Sequence, residues 1–164
     1  MKRFIGVDPG INNPALTVIG QDKELLHSIK FHAKPAHSIP EKLHESILHF
    51  VSFMSTLYTP QIEFHVAIEL PEHQDSIRGQ KCIDRNDFVK LCMSAGALAN
   101  LFQGMDWIKK VHLFSPSQWK GQVPKRVTRK RMEDVYGLAP IAELSDDQVD
   151  ALALARYLSD SYET

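Results

Sequence analysis

Four carboxylates stand out by their position in the chain. Asp8 ends the apolar run KRFIGVD and is followed at once by Pro9-Gly10. Glu69 ends a second apolar run, FHVAIE, and is followed after one residue by Pro71. Asp147 and Asp150 are three apart in the first turn of a helical segment, so they project from one face of it. An acid beside a buried strand costs several kcal/mol unless it is paired, hydrogen-bonded or bound to a metal. For Asp146 and Asp147 the dipole of the following helix is a sufficient partner, worth a few tenths of a kcal/mol. Asp146 is read that way, but Asp150 opens the apolar run Ala151–Ala155 and is left without an explanation. Four acids at the ends of three core elements are better explained together. A hard divalent cation takes oxygen ligands and neutralises carboxylates that would otherwise repel one another. Two Mg²⁺ ions roughly 4 Å apart, bridged by a carboxylate, activate water and stabilise the leaving oxygen in phosphodiester hydrolysis.

A substrate of that kind needs positive charge, and the chain concentrates it. Residues 119–132, WKGQVPKRVTRKRM, carry Lys120, Lys125, Arg126, Arg129, Lys130 and Arg131 without one acid, although the formal net charge of the chain is -1. Such a run is either a solvated helix face or a phosphate-binding surface. Its place between a strand and the acidic helix favours contact with DNA. Arg78, Lys81 and Arg85, in the polar stretch that follows Glu69, are further candidates for phosphate contact. The histidines fit ligation poorly. His32 and His37 are five apart, as are His44 and His49, which suits neither a helix face nor a zinc finger. His73 is the one histidine retained as a site candidate. Trp119 is either a base-stacking group or a packing anchor, the latter being commoner after a strand. Cys82 and Cys92 lack the spacing of a zinc site and read as ordinary thiols, Cys92 as a buried one.

The elements that must position these groups are legible in the pattern. Residues 2–8, 14–20 and 24–33 read as strands joined by short turns, hence as an antiparallel meander. Leu43, Ile47, Val51, Met54 and Leu57 recur at helical spacing over 41–58, after a Pro-containing linker, and Pro60 ends that helix. A strand over 64–69 leads into the long polar stretch 72–85, and Phe88, Leu91, Cys92, Ala95, Leu98 and Phe102 mark a helix over 86–103. The small residues Ser94, Ala95, Gly96 and Ala97 in it would let another element approach closely. A strand over 110–114 precedes a turn-rich stretch. Thr128 is a candidate N-cap for a short helix ending near Gly137. Ser145 with Gln148 forms a capping box for the last helix. The order predicts an α/β fold with a mixed sheet flanked by helices.

With 164 residues, 43% of them hydrophobic, the chain suits one folded domain, 1–164, that needs no disulfide. No run of about 18 apolar residues predicts a membrane span, and no signal peptide is indicated. The expected location is the cytoplasm, bacterial or, for a viral protein, that of the host.

IGVDPG at 5–10, VAIELP at 66–71 and DQVDALALA at 147–155, in that order, resemble the RuvC-type Holliday-junction resolvases of the ribonuclease H-like superfamily. The likeness spans nearly the whole chain. It implies a ribonuclease H-like fold with a five-stranded mixed sheet, and it places the family's catalytic, metal-binding acids on Asp8, Glu69, Asp147 and Asp150. It further implies a crossover junction endodeoxyribonuclease that uses Mg²⁺, with Mn²⁺ able to substitute, and acts as a homodimer on branched DNA in recombination and repair, nicking two strands symmetrically. A lysine assists catalysis in the family, and Lys120 or Lys125 is the candidate here. Bacterial members place an aromatic residue three positions beyond the glutamate, where this chain has Glu72. The 86–103 helix is the candidate dimer interface, with burial in the monomer core as the competing role. Two other readings remain: an RNA-processing nuclease of the same superfamily, and a junction-binding protein without catalysis. A sugar-kinase or chaperone-type ATPase also begins with a DxG strand but needs two such lobes, which the length excludes.

Overall fold

The structure is a computed structural model and describes residues 1–72, 86–121 and 123–163. Five strands form one sheet: β1 (Lys2–Asp8), β2 (Ala15–Ile19), β3 (Leu25–Lys30), β4 (Glu63–Glu69) and β5 (Ile108–Phe114), in the order β3-β2-β1-β4-β5. The short turns make β1-β2 and β2-β3 antiparallel, whereas helical crossovers make β1-β4 and β4-β5 parallel. The mixed sheet flanked by helices is the expected α/β architecture.

Helices cover both faces. Helices α1 (Ile39–Leu57) and α2 (Asp87–Gln103) lie on one face, where Phe50, Met54, Leu98 and Phe102 pack on Ile5, Val7, Val66 and Ile68. On the other face α6 (Asp146–Asp160) brings Leu152, Leu154 and Leu158 onto Phe4, Ile19 and Ala67, with α4 (Lys125–Tyr136) contributing Met132 and α5 (Leu138–Ala142) contributing Ile141. The period-two alternation of β1 thus divides it between two cores, Ile5 and Val7 facing one and Phe4 and Gly6 the other. Gly6 is required where it stands. A Cβ there would collide with the Ala151 carbonyl oxygen and the Ala155 backbone nitrogen, so its absence seats α6 directly on the central strand.

Local details depart from expectation. The first helix begins earlier, with Ser38 as N-cap, Pro40 inside the first turn and Glu41 accepting the Ser38 backbone N–H at 2.6 Å. Strand β2 covers Ala15–Ile19 and β3 ends at Lys30, both shorter than their apolar patterns. Thr128 is not a cap: Pro124 holds that place, and Thr128 is buried one turn inside α4. The 115–125 stretch contains a four-residue helix, α3 (Pro116–Trp119), capped by Ser115. The Ser145–Gln148 capping box of α6 is present as expected. In α2, Ser94, Ala95, Leu98 and Ala99 are buried in the monomer, whereas Gly96 is exposed and meets nothing. Cys92 is half-buried rather than buried.

Candidate active site

Adjacent parallel strands that end together bring two acids together. In the β1-β4 register Val7 stands opposite Ile68, so Asp8 and Glu69 leave the sheet side by side at the carboxyl ends of their strands. That end of an α/β sheet is where ligands bind. The amide of Gly10 donates to Asp8 Oδ1 at 3.1 Å, closing a tight turn that holds the carboxylate back over its own strand.

The other two acids come from the first turn of α6, and a polar stitch sets their height above the sheet. Thr17 of β2 donates through Oγ1 to the Gln148 carbonyl at 3.2 Å, and Gln148 Nε2 donates to Ser28 Oγ of β3 at 3.1 Å. Thr17 and Ser28 also share a hydrogen bond at 2.8 Å. With Gly6 permitting close approach one turn along, Asp147 and Asp150 are held against the strand ends. Asp150 is the more enclosed, its side chain 5% exposed.

Lysines lace three of the four acids. Lys120 Nζ lies 2.9 Å from Glu69 Oε2 and 3.3 Å from Asp150 Oδ2. Lys125 Nζ lies 3.1 Å from Asp147 Oδ1 and 3.8 Å from Asp150 Oδ2. Lys30 Nζ lies 2.8 Å from Asp147 Oδ2. Burial disfavours the ammonium form of Lys120, but Glu69 and Asp150 outweigh it and hold the pKa above the ordinary lysine value. Lys125 is raised in the same way against burial, chiefly by Asp147. For Asp147 burial opposes the charge, yet hydrogen bonds from Lys30 and Lys125 keep its pKa below the usual carboxylate value.

Asp8 is the exception. Although part of it still meets solvent, burial raises its pKa to about 7, and the charges on Glu69, Asp147 and Asp150 add to the rise against Lys125. Four carboxylates meet the ammonium groups of Lys30, Lys120 and Lys125, so with every acid ionised the cluster holds more negative charge than its lysines neutralise. Among the described residues no three acids, histidines or cysteines stand close enough to enclose a cation as the side chains lie. Ammonium groups bridge them instead. The donor set is carboxylate oxygen throughout, which suits a hard divalent ion, and the unneutralised Asp8 marks where positive charge is lacking.

The basic residues around this cluster serve different ends. Arg129 is occupied: Nε and a terminal nitrogen hold Asp146 Oδ1 at 3.1 and 2.7 Å, and the guanidinium also donates to the carbonyls of Ile141 and Leu144. It buckles α4 to the turn before α6, and Asp146 faces it as well as the helix dipole. Lys130 pairs with Asp134 at 2.9 Å along α4. Arg126 and Arg131 are exposed and make no ion pair among the described residues. Arg78, Lys81, Arg85, His73 and Cys82 lie outside the described residues. Trp119 packs against the α6-side core and carries Lys120 Nζ 4.6 Å above its ring, so it serves as an anchor. His32 bonds Asn13, and His49 packs between Phe31 and Phe50.

Two parts of the site have no signal in sequence periodicity. Glu72, standing where the family's aromatic would be, accepts the Ser117 N–H at 3.1 Å and the Ser117 hydroxyl at 2.9 Å, fastening the exit of β4 to α3 and so to Lys120. Lys30 was not a candidate at all. Its type and strand were readable, but which face of the sheet it occupies depends on register.

No protein-family model matches the sequence, and no curated protein matches it. Solved structures do. A Thermus thermophilus RuvC in complex with a Holliday junction substrate superposes with a TM-score of 0.71 at 21% identity, covering 98% of this chain and 93% of that one. A second Thermus thermophilus RuvC structure gives 0.61 at 18% identity over 98% and 96% of the two chains. From the first strand to the last helix, this chain has the RuvC fold.

Proposed function

We propose that the protein is a Mg²⁺-dependent, structure-specific endonuclease that resolves four-way and other branched DNA junctions by paired symmetric nicks in recombination and repair. The observation that carries this reading is the convergence of Asp8, Glu69, Asp147 and Asp150 at one end of β1, β4 and α6, where burial, with the neighbouring carboxylates adding to it, raises Asp8 to about 7. The RuvC fold supports it, since one of the similar structures is in complex with a Holliday junction.

Asp8, Glu69, Asp147 and Asp150 would hold the metal, two ions by the number of carboxylates; bound there, it supplies an activated water and a clamp on the leaving oxygen. The remaining roles belong to the chain's own residues. Lys120 and Lys125 balance the acids in the resting protein, and as the acids are taken up their ammonium groups become available to a scissile phosphate and its departing oxygen. Arg126, Lys130 and Arg131, exposed on α4, bind phosphates beside the cleft. Arg78, Lys81 and Arg85, in the stretch after Glu69, would do the same. Lacking the aromatic at position 72, the chain uses some other group at the junction centre.

A two-fold junction calls for a two-fold dimer, which gives two such sites. Val89 and Met93 leave large apolar surface exposed on the outer face of α2 and make that helix the interface candidate. The deciding experiment incubates the protein and Mg²⁺ with synthetic four-way junctions, flaps, RNA–DNA hybrids and RNA. Paired nicks at symmetric positions of the junction, absent in Asp8→Asn while junction binding in Ca²⁺ persists, are expected. Cutting confined to hybrid or RNA would move the reading to an RNA-processing nuclease. Persistent nicking by Asp8→Asn would remove the acids from the mechanism.

A further inference from the structure

We propose that Lys30 is a positioning residue that orients Asp147 for metal binding; the inference rests on the metal-dependent reading above. Its basis is a row of three residues across the sheet. Asp8 stands opposite Ala15, and Ala15 opposite Lys30, so the three side chains rise on the same face, the one that α6 covers. Ala15 is fully buried and small. It leaves a gap through which the lysine stem reaches from the sheet edge toward the first turn of α6, ending 2.8 Å from Asp147 Oδ2.

This placement depends on an irregularity. Between Val18 and Ile19 the β2-β3 register shifts: Val18 stands opposite His27, but Ile19 opposite Leu25. Without the extra residue, the turn-proximal register would put Ile29 opposite Ala15 and turn Lys30 to the other face. The bulge thus sends this ammonium, and not an isoleucine, to the acidic cluster.

The two lysines on Asp147 are not equivalent. Lys125 bonds Oδ1, also reaches Asp150 at 3.8 Å, and its side chain is 51% exposed. Lys30 bonds Oδ2, touches no other acid among the described residues, and its side chain is 17% exposed. Oδ1 therefore faces the neighbouring acids and Oδ2 faces away. Lys125 on Oδ1 would give way to a cation held by the acids, while Lys30 would keep Oδ2 and hold the carboxylate plane in place. Outer hydrogen bonds to a ligating carboxylate of this kind commonly account for 10- to 100-fold in metal affinity or activity. A lysine that served only as a countercharge would have the opposite effect, since removing it would favour the cation.

The test measures Mn²⁺ binding by calorimetry on the full-length, DNA-free protein for wild type, Lys30→Met, Lys30→Arg, Asp147→Asn and the Lys30→Met/Asp147→Asn double variant. Lys30→Met is expected to bind Mn²⁺ about tenfold more weakly, with Lys30→Arg recovering most of the loss, and to add nothing further in the Asp147→Asn background. On a four-way junction, kcat falls by a similar factor while KM stays. Equal or tighter Mn²⁺ binding by Lys30→Met overturns the proposal. Wild type that binds no Mn²⁺ overturns the metal-dependent reading instead. Circular dichroism separates a folding defect from a binding one, and Lys30→Gln takes the place of Lys30→Met if that variant does not fold.

Discussion

Asp8 is the residue at which stability and function oppose each other. Its pKa is raised to about 7, so in the metal-free protein the charged form is disfavoured relative to the unfolded chain, whose aspartate ionises near 3.8. The unfolded state then holds fewer protons between those values, and this group's contribution to stability falls as pH rises from about 4 to 7 and stays low above. A three-unit shift corresponds to about 4 kcal/mol at most, and solvent contact and coupling to the other acids reduce it. Asp8→Asn removes the cost of burying that charge and its repulsion by the other acids. Urea titrations in EDTA at pH 8 should show the variant more stable than wild type by about 1–3 kcal/mol, with the gap closing toward pH 5, while Mg²⁺-dependent nicking is lost. A gap independent of pH would mean that Asp8 is not the strained group. Added Mg²⁺ should stabilise wild type at pH 8 and leave Asp8→Asn nearly unchanged.

At the scale of elements, the site depends on how closely α6 sits on β1. Gly6 leaves no room for a Cβ beneath Ala151 and Ala155. Gly6→Ala should therefore lift the helix, at a cost of about 3 kcal/mol or more, because the obstacle is backbone on both sides. Asp147 and Asp150 would move away from Asp8 and Glu69 with it, so any protein that still folds should lose activity out of proportion to its fall in Tm. The other end of α6 is held differently. The hydroxyl of Tyr162 bonds His65 Nδ1 at 2.9 Å and His112 Nε2 at 3.1 Å, tying the end of the helix to β4 and β5. That hydroxyl has a single O–H to give, so at least one of the two neutral imidazoles donates to it. Burial lowers the pKa of both histidines, so the stability they contribute is present above about pH 6.5 and is lost as pH falls below it. Tyr162→Phe should cost about 1–2 kcal/mol at pH 7.5, read from urea titration, and less at pH 5. The four acids lie at the opposite end of α6, so the activity proposed for them should be retained.

For the whole molecule, charge distribution matters more than total charge. A chain of formal net charge -1 presents Arg126, Lys130 and Arg131 on the exposed side of α4. Junction affinity should fall steeply with salt, and each phosphate contact removed by Arg126→Ala or Arg131→Ala should reduce the slope of log K against log salt by about 0.9. Arg129→Ala is expected to behave differently. Its guanidinium closes the turn before α6, so the loss should appear in Tm rather than in the salt slope. Oligomeric state belongs to the same scale. If α2 forms the interface, Val89→Asp with Met93→Asp should yield a folded monomer in sedimentation whose Tm no longer depends on protein concentration, and should convert paired nicks into single ones.

Sequence alone determined the five strands, the four longer helices and which acids stand out as candidates, because these signals are local. Periodicity of apolar residues marks strands and helices, and an acid that ends an apolar strand or opens an apolar helix is anomalous without reference to anything distant. Asp8, Glu69 and Asp150 were legible for that reason. Exact ends were less so: Thr128 looked like a cap but is buried inside α4, since a cap and a half-buried helical threonine share one residue type. What only the tertiary structure decided is which long side chains reach the acids. Lys30 and Arg129 are both cationic residues at element ends or on helix faces, yet one enters the site and the other fastens a turn. A strand-register shift of one residue near Ile19 and the packing of α4 against α6 make that difference, and neither leaves a period in the sequence.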